Sequence, residues 1–146
     1  MLIDANQIDA GTEYETDVCI VGSGPAGLTL ARELKNSPLR VLLIESGGFH
    51  LKRALKKLNE GSTVGDPYPN PRWGRSRQFG GTPNRWAIYI SPHNFGARYA
   101  PMDAIDFETR DYVPYSGWPI TRAQMDPYYE RAQHHCELGP YAYETD

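Results

Sequence analysis

The chain has 146 residues with 15 basic and 18 acidic side chains, a net charge of −3 with histidines neutral. A balance this close to neutral leaves no electrostatic footprint for nucleic acid or an anionic membrane, and no run of about 18 apolar residues is present to span a bilayer. Two cysteines, Cys19 and Cys136, are too few for a disulfide scaffold, and Met1-Leu2-Ile3-Asp4 opens no signal peptide, so a reducing, cytoplasmic setting is the expectation.

Residues 1–13 are polar and irregular. Val18-Cys19-Ile20-Val21 is a continuous apolar run, the pattern of a parallel strand buried on both faces. It leads into Gly22-Ser23-Gly24-Pro25-Ala26-Gly27 and then into Leu28, Ala31 and Leu34 at helical spacing, a helix that Asn36-Ser37-Pro38 stops. Arg40-Val41-Leu42-Leu43-Ile44 is a second buried-strand run, so residues 16–48 read as a right-handed βαβ unit. Phe49, Leu51, Ala54, Leu55 and Leu58 predict a further helix that Gly61 ends. The rest is rich in Gly, Pro and aromatic residues, and Ala87-Ile88-Tyr89-Ile90 is a modest strand candidate. Near the end Thr121 and Gln124 form a capping box, and Asp126-Pro127 predicts a helix over about 126–138. The fold class is α/β, Rossmann-like, with a loop-rich extension.

The motif Gly22-x-Gly24-x-x-Gly27 is weak alone and gains force from its setting. It follows a predicted strand, opens a predicted helix, and precedes Glu45, an acid that stands 23 residues after Gly22 at the end of the next strand. Gly22 permits a tight turn, Gly24 lets backbone approach a pyrophosphate, and Gly27 lets the helix pack close to the strand. Pro25 and Ala26 complete the loop, and the helix N-terminus offers unpaired N–H groups to phosphate. Glu45, followed by Ser46, can accept hydrogen bonds from both hydroxyls of an adenosine ribose. A 2′-phosphate is disfavoured, because Glu45 repels it and Ser46-Gly47-Gly48 supplies no arginine. The bland alternative is a βαβ turn that binds nothing, and the fingerprint does not choose between FAD and NAD.

The segment Arg75-Ser76-Arg77-Gln78-Phe79-Gly80-Gly81-Thr82-Pro83-Asn84-Arg85-Trp86 is the second distinctive stretch. Gly80-Gly81 lets backbone lie against a flat or anionic group, with Arg75 and Arg77 upstream as phosphate partners. At this point the chain resembles the glucose–methanol–choline (GMC) family of FAD-dependent oxidoreductases. Asp17 through Gly27, Glu45-Ser46-Gly47-Gly48, Arg75 through Thr82, and Ser116-Gly117-Trp118-Pro119-Ile120 followed by Asp126-Pro127-Tyr128-Tyr129 match in order, roughly from Asp17 to Leu138.

The resemblance implies that Gly22, Ser23, Gly24 and Gly27 hold the FAD pyrophosphate and that Glu45 binds the ribose. Residues 72–91 then form a flavin-contacting loop, in which Gly80, Gly81 and Thr82 run toward the flavin and Asn84 and Trp86 belong to the same motif. Tryptophan at position 86 is similar to the pyranose-oxidase-like, sugar-oxidising branch. Where that branch can carry a flavin-linked histidine this chain has Arg85, so FAD is expected to be non-covalent. Pro83 removes an N–H donor.

The family's catalytic histidine region has no counterpart here, so no catalytic residue is assigned. The expectation is an incomplete domain, the N-terminal part of a flavoenzyme acting on a sugar or other alcohol, completed by a second polypeptide or a C-terminal remainder. No nucleic acid, membrane or metal partner is expected. The competing readings are a non-catalytic nucleotide-binding or partner-binding piece, and an NAD-linked reductase. Among the other residues, His134 and His135 are adjacent on a helix and cannot form an i, i+4 metal pair, and His50 and His93 stand alone. Cys19 reads as inert core and Cys136 as helix packing. Trp73, Trp86 and Trp118 read mainly as packing under loops, and Asp103, Asp106 and Glu108 as solvated or capping acids.

Overall fold

A computed structural model describes residues 1–92, 94–97 and 100–143, with backbone alone for 87–90 and 94–97; His93 lies outside the described residues. The chain divides into two compact units, Met1–Ala97 and Arg98–Asp146.

The first unit is built on β1 (Val18–Val21) and β2 (Val41–Ile44), paired in parallel with Val18 opposite Val41 and Val21 opposite Ile44. They are joined by α1 (Pro25–Glu33). Gly24 caps α1 with Pro25 in its first turn, where a missing N–H costs nothing. The Ser37 hydroxyl donates to the Leu34 carbonyl at 2.7 Å just past the helix end. At the open end of the sheet Asp17 accepts from the Arg40 backbone at 2.7 Å and from its Nε and Nη2 at 3.2 Å, which locks the two strand starts together.

The two strands are covered on one face only, against the expectation of burial on both. Ile20 is 6% exposed, whereas Val21 on the opposite side of the pleat is 83% exposed. Cys19 shares that open face and is a free, exposed thiol, which corrects its assignment to the core; Cys136 is exposed as well. Strand side chains alternate between faces, so one helix can bury only every second residue. Both thiols should therefore react with a thiol reagent in the native chain at rates within about tenfold of a denatured control, since exposure sets access to the reagent. A thiol that reacts only after unfolding would show that the open face is covered.

The predicted helix after β2 shrinks to α2 (Arg53–Lys56) and a 3-10 turn, Lys57–Asn59. Lys52 at its N-cap makes no capping bond, and Lys52 and Arg53 place positive charge at the positive end of the dipole. Phe49 instead packs on Phe79, with ring centroids 5.4 Å apart. α3 (Pro71–Gly74) follows the Pro-rich stretch, capped by Asn70. The strand candidate near 87 forms as β3 (Ala87–Ser91), but it pairs antiparallel with β4 (Asn94–Ala97) in a separate two-stranded sheet.

In the second unit α4 (Ala104–Phe107) buries Phe107, and Asp106 accepts from the Asp103 N–H at 3.1 Å. α5 spans Arg122–His135 rather than 126–138. The capping box starts it: Thr121 Oγ1 accepts from the Gln124 N–H at 3.3 Å, and Gln124 Oε1 accepts from the Thr121 N–H at 2.8 Å. Pro127 is consequently inside the helix and Asp126 is no cap; its carboxylate accepts from Arg122 Nε at 2.8 Å and from the Tyr141 hydroxyl at 3.2 Å. These contacts offset the hydrogen bond that Pro127 cannot make. The helix ends early because Glu137 turns left-handed (φ 55°) and Leu138 N–H bonds back to the Gln133 carbonyl. Among the described residues no helix is long and apolar enough to cross a membrane, and no cluster of His, Cys, Asp or Glu is suited to a metal ion.

Candidate functional site

Three segments of the first unit converge at the carboxyl ends of β1 and β2: the turn 22–27, the turn 45–48 and the loop 77–84. Gly22 leaves β1 at φ 99°, a conformation that favours glycine, while its N–H still bonds to the Ile44 carbonyl at 2.7 Å. A side chain at Gly27 would collide with the Gly22 carbonyl oxygen and sit 3.2 Å from Ile20 Cγ2, so this glycine serves close packing of helix on strand. Gly24 differs, since among the described residues a Cβ there would meet no atom within 4 Å beyond its chain neighbours. Its bare backbone opens on a space the protein leaves free. α1 begins beside it with no acidic residue in its first turn. The first-turn amides of Ala26 and Gly27 have no intrahelical acceptor, which leaves a dipole end and N–H donors suited to an anion.

Glu45 is half-buried, and four donors meet on its carboxylate. Oε2 accepts from the Ser23 N–H at 2.9 Å and the Ser23 hydroxyl at 2.7 Å; Oε1 accepts from the Gly47 N–H at 2.7 Å and the Ser46 hydroxyl at 3.4 Å. Burial alone would raise its pKa, but the hydrogen bonds from Ser23 and Gly47 outweigh it and hold the carboxyl below its ordinary range. The group is a fixed anion at neutral pH, held against Ser23, the residue before Gly24.

The second glycine pair is brought to this place by tertiary contacts. Gly80 and Gly81 both have positive φ (84° and 68°), and the Gly80 N–H donates to Ser23 Oγ at 3.1 Å. A Cβ on Gly81 would stand 3.0 Å from Gly24 Cα, so the two glycine loops lie backbone to backbone. Thr82 Oγ1 accepts from the Ser76 N–H at 3.2 Å, closing the loop on itself.

Several residues expected to face a cofactor have other partners. Arg77 donates from Nε to Asn59 Oδ1 and from Nη1 to Ser46 Oγ, both at 3.0 Å, and so ties the loop to the 57–59 turn instead of offering a free guanidinium to phosphate. Asn84 Nδ2 donates to the Phe79 and Gly81 carbonyls at 2.8 and 2.9 Å, which fixes the turn that carries the glycines. Ser23 is fully buried, and both of its polar groups are spent on Glu45 and Gly80, so it has no donor left for a pyrophosphate. Arg75 is exposed; Arg85 donates to the Trp73 carbonyl at 2.8 Å. Trp86 is 39% exposed.

Sequence reasoning quoted Gly47 and Gly48 within a matching motif but gave them no role at the site. A Cβ on Gly47 would run into the Arg77 carbonyl and lie 2.5 Å from Gln78 Cα, and the Gly48 carbonyl accepts from the Phe79 N–H at 3.0 Å. The consecutive glycines after the acid were the available signal, since a close backbone crossing favours that composition. In the second unit an open cavity of about 630 Å³ is lined in part by Phe107, Trp118 and Ile120; its Arg122 and Asp126 are already paired with each other.

The family model described as "Pyridine nucleotide-disulphide oxidoreductase" matches residues 16–71, which hold the βαβ unit and Glu45. The chain is 33% identical to 6'''-hydroxyparomomycin C oxidase of Streptomyces lividus, over 78% of this chain and 21% of that protein. It thus spans about a fifth of the length of this curated relative. No solved structure matches the chain. A nucleotide-binding segment of oxidoreductase type and an oxidase relative together support a redox function.

Proposed function

We propose that this chain is the FAD-binding portion of a GMC-type, Rossmann-like flavin-dependent oxidoreductase that acts on a CH–OH group of a sugar or other alcohol. The observation that carries the reading is the junction of Gly24, Glu45 and Gly80-Gly81, where an N-terminal helix end, a fixed carboxylate and a second bare backbone meet through Ser23 and the contact of Gly81 with Gly24. The relative's name, an oxidase of a 6'''-hydroxy compound, supports the alcohol donor. Under this reading the first-turn amides of α1 bind the pyrophosphate and Glu45 binds the ribose diol. Gly80, Gly81 and Thr82 guide the ligand onward. The flavin, when bound, takes up the two electrons of alcohol oxidation. The base that removes the hydroxyl proton, and the substrate pocket, are proposed to lie in polypeptide outside these residues, in keeping with the fifth of the relative that the chain spans. An NAD-linked reductase is the second reading, favoured by the description of the matching family model.

Purification in the presence of FAD and of NAD separates the two. The FAD reading expects a yellow protein whose flavin is released entirely to the supernatant on acid precipitation, since Arg85 offers no chemistry for a covalent link. It also expects no sugar-dependent turnover from residues 1–146 alone with a dye acceptor. NAD bound in place of flavin overturns the reading, and so does turnover by the isolated chain.

A further inference from the structure

Ser23 occupies the second position of the glycine motif, between Gly22 and Gly24. Here it is completely buried, the largest such side chain among the described residues, and it makes three hydrogen bonds to two distant segments. Its hydroxyl donates to Glu45 Oε2 at 2.7 Å and accepts from the Gly80 N–H at 3.1 Å, while its own N–H donates to the same Oε2 at 2.9 Å. A hydroxyl is the small group that can donate to a carboxylate and accept from an amide at once. We infer that Ser23 is a positioning residue for adenosine-ribose recognition: it clamps one oxygen of Glu45 to the glycine loop and couples that carboxylate to the Gly80-Gly81 loop, rather than touching the nucleotide itself.

The chemistry follows from the lone pairs. With Oε2 held by two bonds from Ser23 and Oε1 held mainly by the Gly47 N–H, the carboxylate cannot rotate about its last torsion without breaking buried hydrogen bonds. With Oε2 filled, the acceptor capacity that a ribose hydroxyl can use is on Oε1, where the Ser46 hydroxyl at 3.4 Å is the weakest of the four donors. A fixed carboxylate presents that acceptor in one direction and so distinguishes a ribose that carries the matching hydroxyl from one that lacks it. A mobile one loses that discrimination before it loses general affinity. The same geometry leaves the pyrophosphate to the N–H groups of Ala26 and Gly27, so the two ends of the nucleotide are read by separate parts of the loop. This inference rests on the reading of Glu45 as the ribose acceptor, and its test separates the two.

The probes are ADP and 2′-deoxy-ADP, titrated calorimetrically into the whole chain and into Ser23→Ala. The wild type should bind ADP at least about tenfold more tightly than the deoxy analogue, the size expected of one hydrogen bond to a charged group. Ser23→Ala should bring the ratio close to one while binding of the deoxy analogue changes less than binding of ADP. Should the alanine variant fail to fold, Ser23→Cys keeps the volume, offers only a weak donor, and is expected to reduce the ratio likewise. Equal weakening of both nucleotides with the ratio preserved, in either variant, overturns the inference and leaves Ser23 a purely structural residue. A wild type that does not distinguish the two nucleotides, or binds neither, overturns the reading of Glu45 and the inference with it.

Discussion

Gly27→Ala is expected to abolish the cooperative unfolding transition of the first unit, whereas Gly24→Val should leave it within about 1 kcal/mol of wild type and remove nucleotide binding. The two glycines belong to one motif, yet the surroundings divide their tasks. At Gly27 the added carbon would strike the Gly22 carbonyl oxygen and press on Ile20, and the obstacle is backbone that cannot swing aside. Overpacking of this kind costs about 1–3 kcal/mol. Ile20 is the sole buried large apolar residue described in this unit, so little stability is in reserve to absorb that cost. At Gly24 an added Cβ meets nothing within 4 Å among the described residues beyond its chain neighbours, and the backbone (φ −67°) suits any residue. The space it would fill is the one proposed for the pyrophosphate, and a fall in ADP affinity of about 100-fold or more is expected from losing several charge-assisted contacts. Thermal melts and nucleotide titrations of both variants provide the check. A stable Gly27→Ala chain would refute the packing assignment, and a Gly24→Val chain with undiminished affinity would refute the phosphate one.

The second large effect is expected from Glu45→Gln, which keeps the shape and removes the charge. Four donors point at the carboxylate, and an amide turns one of its two ends into a donor. At least one buried N–H or hydroxyl then faces another donor, at a cost of about 2–3 kcal/mol. ADP affinity should fall about 10–100-fold alongside. The pH dependence is fixed in sign. The native pKa of Glu45 lies below the ordinary 4.5, so its contribution to stability is complete above that value and is lost as pH falls through the lowered native one. The stability gap between wild type and Glu45→Gln should therefore be full at pH 7 and shrink in acid below about pH 4.5, which denaturant melts at both pH values would measure. A gap that stays constant with pH would mean that the carboxylate charge is not what the four donors stabilise.

What the sequence by itself determined is local. The apolar runs at 18–21 and 41–44, the helical stripe of Leu28, Ala31 and Leu34, and the cap of Thr121 with Gln124 each depend on neighbours a few residues away, and periodicity and capping chemistry report such neighbours directly. The position of Glu45 at the end of β2 was legible for the same reason. Only the tertiary structure decided which faces of those elements are covered and what each polar group touches. One helix on a two-stranded sheet leaves Cys19 and Val21 outside, although their run looks like buried strand. Arg77 reads as a phosphate ligand until its guanidinium is found on Ser46 and Asn59, and Ser23 reads by resemblance as a pyrophosphate ligand until its hydroxyl is found on Glu45 and Gly80, the latter 57 positions away. α5 begins before Pro127, a residue that alone would start it, because the cap at Thr121 and the pairing of Arg122, Asp126 and Tyr141 together outweigh one missing hydrogen bond. A hydrogen-bond donor carries no mark in the sequence of the acceptor it will find, and burial depends on a second layer that no single segment contains.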